Sequence, residues 1–284
     1  MNKDAYIKNA DTEAIVREGR KKLLSSSLMD DRSFRICMED NPAAIRLLLR
    51  VILGEPDLDI ESYQLQHNVD NVSGRSVILD VYAVNSVTGE LYNIEIQKSD
   101  EEDMLRRARY HASIIDTHRG LKPGQGFKEL RDSYVIIISS DDILKEGEPI
   151  YRITRKTENN TSAYDGSNII VLNCRYKGDH ELMKLINDLN ATSADEMNYT
   201  ELSETVRLKK QSQGDKGIMD IFEKAYQDGK IEGREEGREE GREEGQNQEK
   251  LDIAKKMLSI GKFSLDDIAE TTSLPIETIK KLVV

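Results

Sequence analysis

The run SVILDVYAVNSVTGELYNIEIQ at 76–97 constrains this chain more than any other stretch. It holds two apolar segments of period two, separated by NSVTG, a turn-forming cluster. That pattern predicts an antiparallel β-hairpin. If the hairpin is symmetric about Val87–Thr88, the numbers of paired residues sum to 175, and Asp80 faces Glu95. Alternation then puts Ile78, Asp80, Tyr82 and Val84 on one face of the first strand, and Leu91, Asn93, Glu95 and Gln97 on one face of the second. Directly opposed cross-strand residues have Cβ atoms about 4.5–5.5 Å apart and point the same way. Two carboxylates so placed repel unless a proton or a cation stands between them, and a divalent metal held by oxygen ligands is the economical remedy. A polar face on a half-exposed sheet would explain Asp80 alone. Asp80, Glu95 and Gln97 together, followed by a basic helix, favour a site. Strand parity turns Gln97 to the Glu95 side and Lys98 away from it, as an edge or surface charge.

The flanking sequence completes an α/β pattern. MDDRSFRICMEDN predicts a short helix capped by Asp30 or Asp31 and carrying Phe34, Cys37 and Met38. Asn41 and Pro42 open a second helix, which Gly54 ends. IESYQLQHNV predicts a strand before the hairpin. EEDMLRRARYHASIIDTH at 101–118 predicts an amphipathic helix with Met104, Leu105, Ala108, Ala112 and Ile115 inward. SYVIIIS is an unbroken apolar strand of the kind that fills a sheet centre. NIIVLNC at 168–174 predicts another strand, and 179–190 a helix. On that helix at 101–118, Arg107 and Tyr110 share a face and are candidates to contact phosphate. Arg106 and Arg109 point elsewhere, as surface charges, and His111 is a structural or surface histidine by default.

The tail differs in kind. GREEGREEGREEG repeats every four residues, with favourable Glu–Arg pairs and a glycine in each turn, each costing about 0.8–1 kcal/mol of helix propensity. A solvated linker is expected there. Residues 250–284 regain periodicity as three short helices, a helix-turn-helix-like unit. Its six lysines and five acids make it nearly neutral, which suits an interaction or homo-oligomerisation module at least as well as a DNA reader. The expected organisation is a domain over 1–200, a charged linker over 201–249 and a helical module over 250–284.

The ordered set, an Asp strand, a turn with Gly, a Glu-x-Gln strand, then a helix with RRARYH and the strand YVIIIS, resembles the PD-(D/E)XK nuclease superfamily. Within it, the chain is similar to the recombination-promoting nuclease / transposase family, whose style the GREEG tail shares. The resemblance implies a restriction-endonuclease-like mixed α/β sheet flanked by helices. It also implies a Mg²⁺- or Mn²⁺-dependent DNA endonuclease, with Asp80 and Glu95 holding the ion. Gln97 would stand where the superfamily has lysine. An amide can orient water but supplies no positive charge. Leu79, not proline, precedes Asp80. An acid from the first helical region often completes such sites, and Asp31 and Glu39 are both candidates. The alternative is a catalytically weak nuclease fold that binds DNA or protein.

Charge bears on this choice. The formal net charge of −12 gives no global attraction for nucleic acid, yet bound cations can offset a local carboxylate cluster. Two distant cysteines, a polar N-terminus and no membrane-length apolar run lead to the expectation of a reduced, cytoplasmic protein.

Overall fold

The computed structural model describes residues 17–19, 21–69, 76–98, 103–121, 124–211, 245 and 248–282. The chain divides into two compact units, Met1–Phe222 and Glu223–Val284. The GREEG repeat, apart from Gly245, lies outside the described residues.

In the first unit, helical residues at 17–19 and 21–25 precede α1, Asp31–Met38, where the Asp30 side chain accepts from the Ser33 N–H. In α2, Pro42–Leu53, Asn41 caps the start and Gly54 ends it at φ 76°, a left-handed conformation that costs glycine least. Three strands follow, β1 Ile60–Val69, β2 Val77–Asn85 and β3 Leu91–Gln97, and then α3, Met104–Ile115. A π-helical turn, Asp116–Gly120, extends α3. Next come β4 Ser133–Ser139, β5 Ile150–Ile153, β6 Ser167–Asn173, α4 Met183–Asn190 and α5 Thr200–Val206.

The six strands form one mixed sheet in the order β1-β2-β3-β4-β6-β5. β1, β2 and β3 are antiparallel neighbours, whereas β3, β4 and β6 run parallel. The hairpin register follows the sum of 175: Val84 faces Leu91, Tyr82 faces Asn93 and Val81 faces Ile94. Asn85 fixes the turn by accepting the Val87 and Thr88 N–H groups on its side-chain oxygen. Gly89 closes the turn at φ 70°.

Both faces of the sheet are covered, which is why β3 is buried throughout and β4 everywhere but at the half-buried Tyr134. One face carries Val81, Ala83, Tyr92, Ile94, Ile96, Ile136 and Ile138 against α1, α2, α4 and α5. Leu202 and Val206 of α5 belong to this core, so packing continues past residue 200. The other face carries Tyr82, Leu91, Val135, Ile137 and Val171 against Met104, Ala108, Ala112 and Ile115 of α3. Cys37 and Cys174 are free and buried.

The second unit holds a helical run at 248–260, then α6 Leu265–Thr272 and α7 Ile276–Lys280. Ser264 and Asp267 form a capping box at the start of α6. Ala254, Ile268 and Ile279 make its small core, with Met257, Leu258 and Leu282 half-buried around them. Among the described residues, no helix is long and apolar enough to cross a membrane.

Candidate active site

The site begins where β1 and β2 kink together. Leu65 pairs with Val81, and both pack on the α1/α2 side of the sheet. The next aligned pair, His67 with Leu79, has changed faces. Leu79 joins the α3-side core, and His67 stacks on Tyr82 with ring centres 5.2 Å apart. Between these pairs lie Gln66 and Asp80. Gln66 takes up the change at φ 48°, a left-handed backbone that costs a non-glycine residue of order 1–3 kcal/mol. The expected row Ile78, Asp80, Tyr82 and Val84 on one face is therefore broken below Val81. A strict period of two does not survive the kink.

The β2–β3 ladder ends at the same place, with Val81 and Ile94 as its last pair. Beyond it the Asp80 carboxylate takes over the partner's part. Its Oδ2 accepts the Ile96 N–H at 3.0 Å, and its Oδ1 accepts from Gln66 Nε2 at 3.1 Å. The Asp80 N–H in turn donates to Glu95 Oε1 at 3.4 Å. Asp80 and Glu95 thus meet at a fork between two strands, held partly by backbone.

Burial first, and then the neighbouring Glu95 charge, push the Asp80 carboxyl up from 3.8 to about 7, against the Ile96 and Gln66 hydrogen bonds. Asp31 adds to the same repulsion. Of the two candidate acids from the first helical region, Asp31 is the one whose charge reaches Asp80. Glu39 sits at the far end of α1, as its C-cap.

Glu95 is buried and surrounded by side-chain nitrogens. Asn93 Nδ2 lies 2.8 Å from Oε1 and His111 Nδ1 lies 3.2 Å from it, while an Arg107 guanidinium nitrogen lies 3.7 Å from Oε2. Gln97, on the same parity of β3, is buried where that strand aligns with Ser139 of β4. Lys98 turns to the other side and pairs with Asp30 at 3.4 Å. Arg107 therefore reaches Glu95 from α3, whereas Tyr110 packs half-buried against the α3-side core. Arg106 pairs with Asp103 on the surface.

Three contributors escaped the sequence expectation as site residues: Gln66, Asn93 and His111. Asn93 carried a signal, since it shares the face of Glu95 and Gln97 in a strand that is otherwise apolar and aromatic. His111 carried one too, one helical turn from Arg107.

Among the described residues, no three His, Cys, Asp or Glu side chains gather into a metal cage. A pair of carboxylates short of positive charge is nonetheless the donor set Mg²⁺ uses, since that ion keeps several waters and takes one or two carboxylates. The residues present fit such an ion.

A hairpin running into parallel strands, helices on both faces and two acids at the fork define a restriction-endonuclease-like α/β fold of the PD-(D/E)XK type. The comparison is specific: residues 36–173 match the PD-(D/E)XK nuclease family transposases. The match takes in Asp80, Glu95, Gln97, Arg107 and His111, and begins after Asp31. No curated protein and no solved structure matches the chain.

Proposed function

We propose that this protein is a divalent-metal-dependent DNA endonuclease, acting on phosphodiester bonds in recombination or in the movement of genetic elements within a reducing cytoplasm. Asp80 and Glu95 would hold Mg²⁺ or Mn²⁺. The observation that carries this is the strand fork, where two carboxylates are forced together at the cost of a kinked strand and a raised Asp80 carboxyl. The match of residues 36–173 to a nuclease and transposase family supports DNA as the substrate.

When bound, the ion would acidify water and offset charge on the scissile phosphate. The chain's own residues do the rest. Gln97, buried beside Glu95 on β3, offers an amide that both donates and accepts, suited to aligning a water but not to supplying charge. Arg107 is half-exposed on α3 and supplies the missing cation. It balances Glu95 in the metal-free site and is placed to turn to a phosphate oxygen once Glu95 has another partner.

Lys98 favours a second assignment, a nuclease fold that binds DNA or protein with weak cleavage. Its ammonium sits against Asp30, so β3 turns no lysine to the Glu95 side. Nicking of supercoiled plasmid in Mg²⁺ or Mn²⁺ separates the two. Wild type should nick and Asp80→Ala should not. Equal activity would remove Asp80 from the site, and no activity in either would favour the binding module.

We further propose a nuclease-like domain over 1–200 that α5 carries on to Val206, a charged linker from there to 249 and a helical module over 250–284 that assembles copies of the chain. Removing residues 229–284 and measuring mass in solution tests the last point. An unchanged oligomeric state rejects it.

A further inference from the structure

Glu95 has two oxygens in unlike surroundings. Oε1 has Asn93 Nδ2 at 2.8 Å, His111 Nδ1 at 3.2 Å and the Asp80 N–H at 3.4 Å. Oε2 has the Arg107 guanidinium at 3.7 Å, from a side chain nearly half-exposed. A carboxylate oxygen has about two lone pairs for donors or a cation. The Asn93 amide and the Asp80 N–H occupy both on Oε1, while among the described residues Oε2 faces the partly exposed Arg107 guanidinium.

The orientation of Asn93 follows from the carboxylate. Were its amide reversed, its oxygen would stand 2.8 Å from Oε1, acceptor against acceptor. With its NH₂ toward Glu95, Asn93 also hydrogen-bonds His111 Nδ1 at 3.3 Å, and since Nδ2 only donates, Nδ1 accepts there. The one amide thus ties Oε1 to a ring on α3 that lies 3.2 Å from the same oxygen.

The fold accepts a cost for this. Asn93 is fully buried, and its Oδ1 has no hydrogen-bond partner among the described residues. A buried acceptor without a donor destabilises the native state, and an apolar residue of similar size would not. Its strand neighbours Leu91, Tyr92, Ile94 and Ile96 are apolar or aromatic, so Asn93 is not there for the packing of β3.

We infer that Asn93 and His111 are positioning residues that lock Oε1 of Glu95, so that Glu95 offers a divalent cation the single oxygen Oε2. The inference rests on the metal-dependent assignment proposed above and adds which oxygen binds and what fixes it. Asn93 holds Glu95 from within β3, and His111 holds the Asn93 amide from α3, so strand and helix are tied together at the ligand. Outer partners of this kind set ligand orientation and affect metal affinity about 10–100-fold.

The test uses the full chain and Mn²⁺ alone, with binding followed by titration calorimetry and by the Mn²⁺ paramagnetic resonance signal. Asn93→Leu removes both the donor and the orphaned oxygen. It should melt at or above the wild-type temperature in EDTA and bind Mn²⁺ about 10–100-fold more weakly. His111→Leu should weaken Mn²⁺ binding in the same way, and His111→Gln, which restores an acceptor for the Asn93 amide, should recover part of the loss. A purely structural role predicts the opposite split, lower stability with unchanged affinity. Wild-type Mn²⁺ affinity in Asn93→Leu and His111→Leu would overturn the positioning role and leave the nuclease assignment standing. No Mn²⁺ binding by wild type would overturn both. Should Asn93→Leu fail to fold, the contrast between His111→Leu and His111→Gln decides, and equal affinity in that pair overturns the inference.

Discussion

Replacing Asp80 by Asn should make the metal-free protein more stable and abolish its stabilisation by metal. In the fold the Asp80 carboxyl is raised from 3.8 to about 7, first by burial and then by Glu95. Each tenfold change in proton affinity is worth about 1.4 kcal/mol, so the ionised form is disfavoured by about 4 kcal/mol. The sign follows from the direction of the shift. With the folded value above the unfolded one, this group's contribution is fully present below pH 3.8 and is lost as pH rises through about 7. At pH 8 the wild type carries the whole penalty. Asn is neutral and similar in shape. It keeps an oxygen for the Ile96 N–H, but it turns an NH₂ to where Oδ1 accepted from Gln66 Nε2, so that hydrogen bond is lost unless the Gln66 amide reverses. A net gain of about 1–3 kcal/mol is expected once that loss of hydrogen bonding is set against the electrostatic relief. For a unit of this size it corresponds to a rise of about 2–4 °C per kcal/mol. Circular dichroism melts in EDTA at pH 5 and pH 8 measure it, and the advantage of Asp80→Asn should widen toward pH 8. Mg²⁺ or Mn²⁺ at 100 times its dissociation constant should then stabilise wild type by about 2.7 kcal/mol and leave Asp80→Asn unmoved. An Asn variant less stable than wild type at pH 8 in EDTA would refute the electrostatic account of the fork. Equal stabilisation of both proteins by metal would refute Asp80 as a ligand.

The other expectations concern the neighbours. Gln97→Ala should lower single-turnover cleavage by about 10²-fold, the scale of losing one aligned hydrogen-bonding group at a reacting centre. Lys98→Ala, which removes only an exposed pair with Asp30, should change it less than about threefold. The reverse order would put Lys98 in the site. Arg107→Ala should leave Mn²⁺ affinity equal or tighter, since Glu95 Oε2 loses a competitor, while duplex DNA binding becomes weaker and less salt-dependent. Weaker Mn²⁺ binding in that variant would contradict the placement of the guanidinium. Gly89→Ala puts a Cβ at φ 70° and 2.8 Å from an Arg131 nitrogen, so it should cost more than about 1 kcal/mol in chemical denaturation. A neutral result would mean the hairpin turn is looser than its hydrogen bonds imply.

The parts of this fold that were legible in the sequence are those set by local rules. The caps of α1 and α2 follow from Asp30, Asn41, Pro42 and Gly54, and the sum-175 register follows from a turn short enough to have one solution. Central β4 follows from an apolar run that only a sheet covered on both faces can bury. What escaped depends on contacts between segments far apart in the chain. The β1–β2 connection at 70–76 is too long to fix a register, so nothing local says that Gln66 stands beside Asp80. Had that register been known, Gln66 beside the one acid of apolar β2 would have marked the spot. Glutamine is also not a residue from which a left-handed backbone is expected, so the kink carries no turn signature. His111 was hidden for a related reason. Helical spacing tells which residues share a face of α3, but not which strand lies beneath it, and the position over Glu95 is set only when β3 and β4 pair in parallel under that helix. The kink is therefore more than a detail of the site. It breaks the alternation of β2 at the residue whose charge the fold can least accommodate, and it lets the Asp80 carboxylate take a backbone N–H of β3 where the ladder stops. A regular hairpin would have set Asp80 and Glu95 face to face. The kinked one holds Asp80 by the backbone of β3 and by Gln66, so the two acids stay in reach of one cation while each keeps hydrogen-bond partners of its own.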